Sequence, residues 1–277
     1  MATSPASAAA PASPLPPNDP LLRFLVRPLV AAYMYGKGPI TVYRTSRVRT
    51  SHAITPLDDE ADRALRPESR AFLDRSDAAL GTLGFDAPVR GVLRGQANAT
   101  SYFSLSEHRT HGVLATLAAI QTVGSPLVPP RNVQVIFYRS EFADDVAILT
   151  TNGPSKRRFP RRPDLDGVRF PAVRDPEVLY RIHRFRAAER ERRVPMRGAR
   201  RGADPLRYQQ REAEESWERW VTIGYYRRLP DGVLAPTKRG ALCLAWRGMV
   251  PWRQLVDWRD AHQAAAVLRR WKAAGSP

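Results

Sequence analysis

The alternation of apolar and polar positions becomes legible from Glu68 onward. Phe72, Leu73, Ala79, Leu80 and Leu83 recur at helical spacing and predict a helix that ends near Gly81–Gly84. Runs of period two follow, at about 88–95, 99–107, 112–122, 132–140 and 145–151. In the fourth run Val133, Val135 and Phe137 point one way, and Gln134 and Tyr138 the other. The fifth run joins the fourth through Glu-Phe-Ala-Asp-Asp, and a connection that short forces antiparallel neighbours. The prolines of Gly-Ser-Pro-Leu-Val-Pro-Pro separate the third run from the fourth, because proline cannot continue a ladder. The pattern predicts an α+β fold, a helix on a meander sheet of about five antiparallel strands, followed by a mostly helical basic C-terminal region.

Residues 153–175, with Pro154, Pro160, Pro163 and Pro171 and with Pro176 just beyond, read as a basic linker or long surface loop. Val178, Leu179, Ile182 and Phe185 then form one helical stripe. A loop at 193–203 precedes a further helix with Leu206, Ala213, Trp217, Trp220 and Val221 on one face. Leu-Pro-Asp-Gly-Val is a hairpin turn, and Thr237 is placed to cap the helix that carries Leu242, Ala245, Trp246 and Met249. Pro251 breaks that helix, and a last one runs to about Trp271. Trp246, Trp252 and Trp258, interleaved with Arg247, Arg253 and Arg259, read as core covered by those arginines, with a bilayer interface or stacking platforms for single-stranded nucleic acid as the alternatives. Upstream, residues 1–20 are an Ala/Pro/Ser-rich disordered tail without the charged start and apolar run of a secretory signal. The stretch from Leu21 to Pro39, broken by Arg23, Arg27 and Pro28, is too short to span a bilayer. It reads as a helix on the protein's own body or as an interfacial membrane helix. The boundaries are thus 1–20, 21–152, 153–175 and 176–277, with the last segment able to pack on the sheet as one domain.

Charge sharpens this division. The chain of 277 residues carries a formal net charge of +17 with 43% hydrophobic residues, enough apolar content for a core. Its cations are 40 Arg against 4 Lys, a skew that looks like coding bias. Bias would act evenly, yet residues 1–152 hold 15 basic and 13 acidic side chains and residues 153–277 hold 29 and 14. All six tryptophans also fall in the second part, so the asymmetry belongs to the protein. A surface of this kind attracts an anionic partner, either nucleic acid or an anionic membrane. The loop residues Arg157, Arg158, Arg161, Arg162, Arg200 and Arg201 are the candidate anion-binding set.

Chemistry-bearing motifs are sparse. Cys243 is the single cysteine, between Leu242 and Leu244, and excludes an intramolecular disulfide. His108 and His111 are the one close histidine pair; in a tight hairpin both rings would face solvent, and no metal site is assigned. No nucleophile elbow is present, and Gly36-Lys37-Gly38 lacks the strand and glycine spacing of a phosphate loop. Asp58-Asp59-Glu60 and Asp144-Asp145 suit a helix start and a hairpin tip. Catalytic residues and cofactors are therefore not assigned, and the balance leans away from an enzyme.

The segment from helix 205–222 through Tyr225, Tyr226, Arg227, Arg228, Asp231 and Gly232 to Pro236-Thr237-Lys238-Arg239-Gly240 and a helix resembles the wing and following helix of winged-helix regulators. That resemblance, over roughly 40 residues, implies nucleic-acid binding. Glu212, Glu214, Glu215 and Glu218 oppose it, since phosphates would be repelled from that helix. The reading that results is a non-catalytic intracellular interaction protein, cytoplasmic or membrane-associated, whose basic half engages an anionic partner. Nucleic-acid binding of winged-helix type and peripheral association with anionic lipid are the alternatives. A curved sheet could also enclose a small-molecule pocket.

Overall fold

The computed structural model describes residues 20–48, 53–96, 99–123, 130–154, 163–197, 204–247, 249 and 251–275. Among them the chain is α+β, with seven helices, one seven-stranded sheet and a two-stranded hairpin. The five strands read from the sequence are β2 (Val89–Gln96), β3 (Ala99–Glu107), β4 (Val113–Thr122), β5 (Asn132–Glu141) and β6 (Ala147–Thr151), an antiparallel meander in chain order. Two edge strands enlarge the expected sheet. β1 (Ile54–Pro56) pairs antiparallel with β2, and β7 (Leu165–Arg169) pairs parallel with β6. The prolines of 153–175 conceal β7, and the intervening residues 152–164 supply the length that a parallel return needs.

Alternation along the strands sorts the side chains into two faces. On β4 Val113, Ala115, Leu117 and Ala119 are buried, in register with Tyr102 of β3 and with Ile136 and Tyr138 of β5. Three helices are packed against this core: α3 (Pro67–Thr82), α4 (Pro176–Glu191) and the C-terminal half of α7 (Trp252–Ala273). α3 begins with proline in its first turn and ends on Gly84, whose φ of 93° is favourable for glycine alone. It buries Phe72, Leu73 and Leu80, each worth about 1.5–3 kcal/mol in apolar burial. α5 (Pro205–Thr222) covers part of the other face. Its Leu206 and Tyr208 are buried, and Leu206 occupies the space that a side chain on Gly91 of β2 would fill. The sheet therefore has apolar residues buried on both sides, Leu105, Ala118 and Val135 among those on the second.

A smaller assembly surrounds the far end of α5. The hairpin β8 (Tyr226–Arg228) and β9 (Leu234–Pro236) turns through Gly232 at φ 76°, and Val48 adds a bridge to Leu234. Tyr225, Tyr226 and Leu234 form its core, with Trp217 and Trp220 packed against them. α6 (Lys238–Trp246) starts at Thr237, whose hydroxyl accepts from the Gly240 amide and donates to the Gly224 carbonyl. Gly240 itself lies so close to Tyr225 that a β-carbon would overlap its carbonyl oxygen. α1 (Pro20–Thr45) packs along α6, with Gly38 facing Ala245 and Met249. α2 (Asp59–Ala64) is a single short helix capped by the Asp58 carboxylate.

Candidate functional site

All six arginines of the candidate anion-binding set, Arg157, Arg158, Arg161, Arg162, Arg200 and Arg201, lie outside the described residues. The other sequence-derived candidates can be placed. The acidic pairs do structural work: Asp58 caps α2, while Asp144 and Asp145 sit at the β5–β6 turn and pair with Arg190 and Arg197.

The histidines differ from expectation. His108 is 6% exposed rather than solvent-facing, because it ties the β3–β4 turn to the end of α3. Its Nε2 donates to the Leu83 carbonyl at 2.9 Å, and its Nδ1 accepts from the backbone amides of Thr110 and His111. His111 stacks on His108 with centroids 4.1 Å apart and shares a 2.8 Å hydrogen bond with the Tyr180 hydroxyl. Burial, reinforced by the Arg184 charge, pulls His111 down to about 4, and burial lowers His108 as well. On α4 the fully buried His183 spans two hydroxyls, with Nε2 3.0 Å from Ser140 and Nδ1 2.9 Å from Thr150. A neutral imidazole satisfies both by donating at one nitrogen and accepting at the other. Its burial and the nearby arginines push it well below the ordinary histidine range. Each ring is thus neutral and bonded within the fold, an arrangement suited to fixing neighbouring elements. Among the described residues no three His, Cys, Asp or Glu side chains are grouped to hold a metal ion.

The helix that a winged-helix protein would present to DNA is used internally. Arg139 of β5 pairs with Glu212, Arg228 of the hairpin with Glu218, and Arg219 with Asp164. Gln210 accepts from the Ile54 amide of β1, and the Tyr208 hydroxyl donates to Glu141. Glu212 and Glu218 thus tie α5 to the sheet and the hairpin, while Glu214 and Glu215 are exposed, with partners in α5 itself.

The tryptophans of α6 and α7 correct the sequence reading most sharply. Trp246, Trp252 and Trp258 are 39, 49 and 61% exposed, whereas Trp271 is buried. On α6 the small residues Gly240, Ala241 and Ala245 face inward, so Leu242 and Trp246, one turn apart, face out. Along α7 the residues Trp252, Leu255 and Trp258 recur every third position and are all exposed. α1 lies beside α6: the Trp246 indole donates to the Tyr35 carbonyl at 3.0 Å, and the two rings are 6.3 Å apart. The outer stripe of α1 carries Tyr33, Lys37, Ile40 and Arg44, all exposed. Of the nine large hydrophobic side chains exposed among the described residues, seven fall on these three helices, so the exposure is concentrated there. Arg253 and Arg259 are exposed as well, and Arg247 is half-buried beside Trp246.

Comparison with known proteins gives no relative: no family model, no curated protein and no solved structure matches the chain.

Proposed function

We propose that the protein is a non-catalytic interaction protein that docks on an anionic lipid surface through the outer faces of α1, α6 and α7. The observation that carries this reading is the exposed combination of Tyr33, Ile40, Leu242, Trp246, Trp252, Leu255 and Trp258 with Lys37, Arg44, Arg253 and Arg259. Indole and phenol rings settle at headgroup depth, aliphatic side chains reach the acyl boundary, and arginines meet lipid phosphates. No helix among the described residues is long and apolar enough to cross a membrane, so the contact is made in the plane of the interface. Duplex nucleic acid offers phosphates but no apolar layer to receive these side chains, and α5 keeps Glu214 and Glu215 exposed, where phosphates would be repelled.

Co-sedimentation of the full chain with vesicles of phosphatidylcholine, with and without phosphatidylglycerol, tests the proposal. Binding is expected to need the anionic lipid and to survive in part at ~150 mM salt, because the apolar contribution is not screened. Trp252→Ser and Trp258→Ser should each weaken it by about tenfold, the scale of one large side chain lost from the interface. Absence of vesicle binding, or binding of random duplex that exceeds it at the same salt, would overturn the reading.

A further inference from the structure

A second feature lies at the opposite end of α7 and is independent of the exposed face. α4, α7 and the strands β6 and β7 enclose a cleft of about 610 Å³, within the range of small-molecule sites. One wall is apolar: Val194 and Ala266 are half-buried on it, with Ile148, Val168 and Val267 almost wholly buried behind them. The other is made by four arginines, Arg186, Arg190, Arg193 and Arg270, against two carboxylates, Asp166 and Glu189.

The arginines are held in different ways. Arg186 is 4% exposed and fixed at the base, with Nη1 2.8 Å from both the Leu149 carbonyl and the Thr150 hydroxyl. Its Nη2 reaches the Asp166 carbonyl at 2.9 Å and the Asp166 carboxylate at 3.2 Å. Arg270 pairs with Glu189 at 3.1 Å. Arg190 lies over the Phe142 ring and gives one Nη to Asp144, while its Nε is buried without a hydrogen-bond partner. Arg193 is exposed and makes no ion pair among the described residues. Four lining cations face two lining anions, and Asp144, just outside the lining, holds Arg190, so the excess is one cation, Arg193.

We propose that this cleft is a binding site for a small phosphate monoester, its phosphate held by Arg190 and Arg193 and its organic part laid against the wall of Val194 and Ala266. A phosphate monoester carries about −1.5 to −2 charges at neutral pH, which suits a site with an excess of cations. Its three acceptor oxygens suit guanidinium donors, the exposed Arg193 head above all. Inorganic phosphate would leave the apolar wall empty, and an uncharged ligand would leave Arg193 without a counter-ion.

Calorimetric titration of the full chain at ~150 mM salt, where weak surface attraction is screened, tests the site. The probes are adenosine monophosphate, adenosine, inorganic phosphate and short-chain phosphatidic acid below its micelle threshold. Saturable one-to-one binding of a monoester is expected, tighter by about tenfold or more than adenosine or phosphate alone. A soluble ester as the natural ligand class predicts adenosine monophosphate as the tighter probe, and a lipid headgroup predicts phosphatidic acid. Arg193→Gln, which removes no internal bond, and Arg190→Gln should each weaken that binding about tenfold. Arg75→Gln, on the solvent side of α3 and outside both surfaces, should leave it unchanged. The proposal fails if neither monoester binds saturably, or if binding persists undiminished in both cleft variants.

Discussion

The two halves of α4 and α7 that face the sheet, and the outer surfaces of α1, α6 and α7, invert the usual placement of residue types. Under the sheet helices a histidine and an arginine are almost wholly buried, with their polar groups matched to Ser140, Thr150, Leu149 and Asp166. Around α6 three tryptophans and two leucines stand in the open, although the same helices have cores of their own. A buried charge persists only when its partners are fixed, and an exposed indole costs stability that the fold does not need to spend. The contrast separates what holds the molecule together from what is left for contact.

The strongest way to break the contrast is from inside. Arg186→Met would strip the Leu149 and Asp166 carbonyls and the Thr150 hydroxyl of their buried donor, and a loss of about 3–5 kcal/mol in denaturant unfolding is expected. A loss below about 1 kcal/mol, the scale of an ordinary surface change, would show that water replaces it freely. Next in size is Gly240→Ala, where the new methyl meets the Tyr225 carbonyl and the hairpin must move away from α6. About 1–3 kcal/mol of destabilisation is expected, with Trp217 and Trp220 fluorescence reporting the local shift.

A pH series sharpens the same comparison. His108, His111 and His183 all titrate below the ordinary value of 6.5 in the folded chain, chiefly through burial. Their contribution to stability is complete above pH 6.5 and is lost as the pH falls toward about 4, where His111 gains its proton in the folded state. Melting temperature should therefore drop steadily from pH 7 to 5, and a flat profile would contradict the assignment of neutral rings. The smallest effect is expected outside: Trp252→Ser and Trp258→Ser should change stability by less than about 0.5 kcal/mol while changing vesicle binding.

Much of the sheet was legible because β2 to β6 obey a period of two and are joined in chain order. β7 was not, since Leu-Asp-Gly-Val-Arg has the composition of a turn and becomes a strand only by pairing with β6. β1 is three residues ending in proline, too short to carry periodicity. Thr237 as a cap and the following helix were readable from local chemistry, which is short-ranged. The exposed tryptophans were legible only as an alternative to core, for a different reason. Leu242 and Trp246 share a helical stripe, but so do Gly240, Ala241 and Ala245 around the other side, and packing selected the small residues because α1 and Tyr225 approach so closely. The cleft needed four arginines from α4, the turn after it and α7, and a strand hidden among prolines, a convergence that no local pattern encodes.

One consequence follows from α7 being unbroken. Its 22 residues make a rod about 33 Å long at 1.5 Å per residue, with the exposed stripe at one end and the sheet contact of Ala264, Val267 and Trp271 at the other. The rod fixes both the stand-off and the azimuth of the sheet relative to whatever grips Trp252, Leu255 and Trp258. A single residue inserted between His262 and Gln263 would advance one end by about 1.5 Å but swing it by about 100°. Orientation, far more than distance, is what the length of this helix encodes.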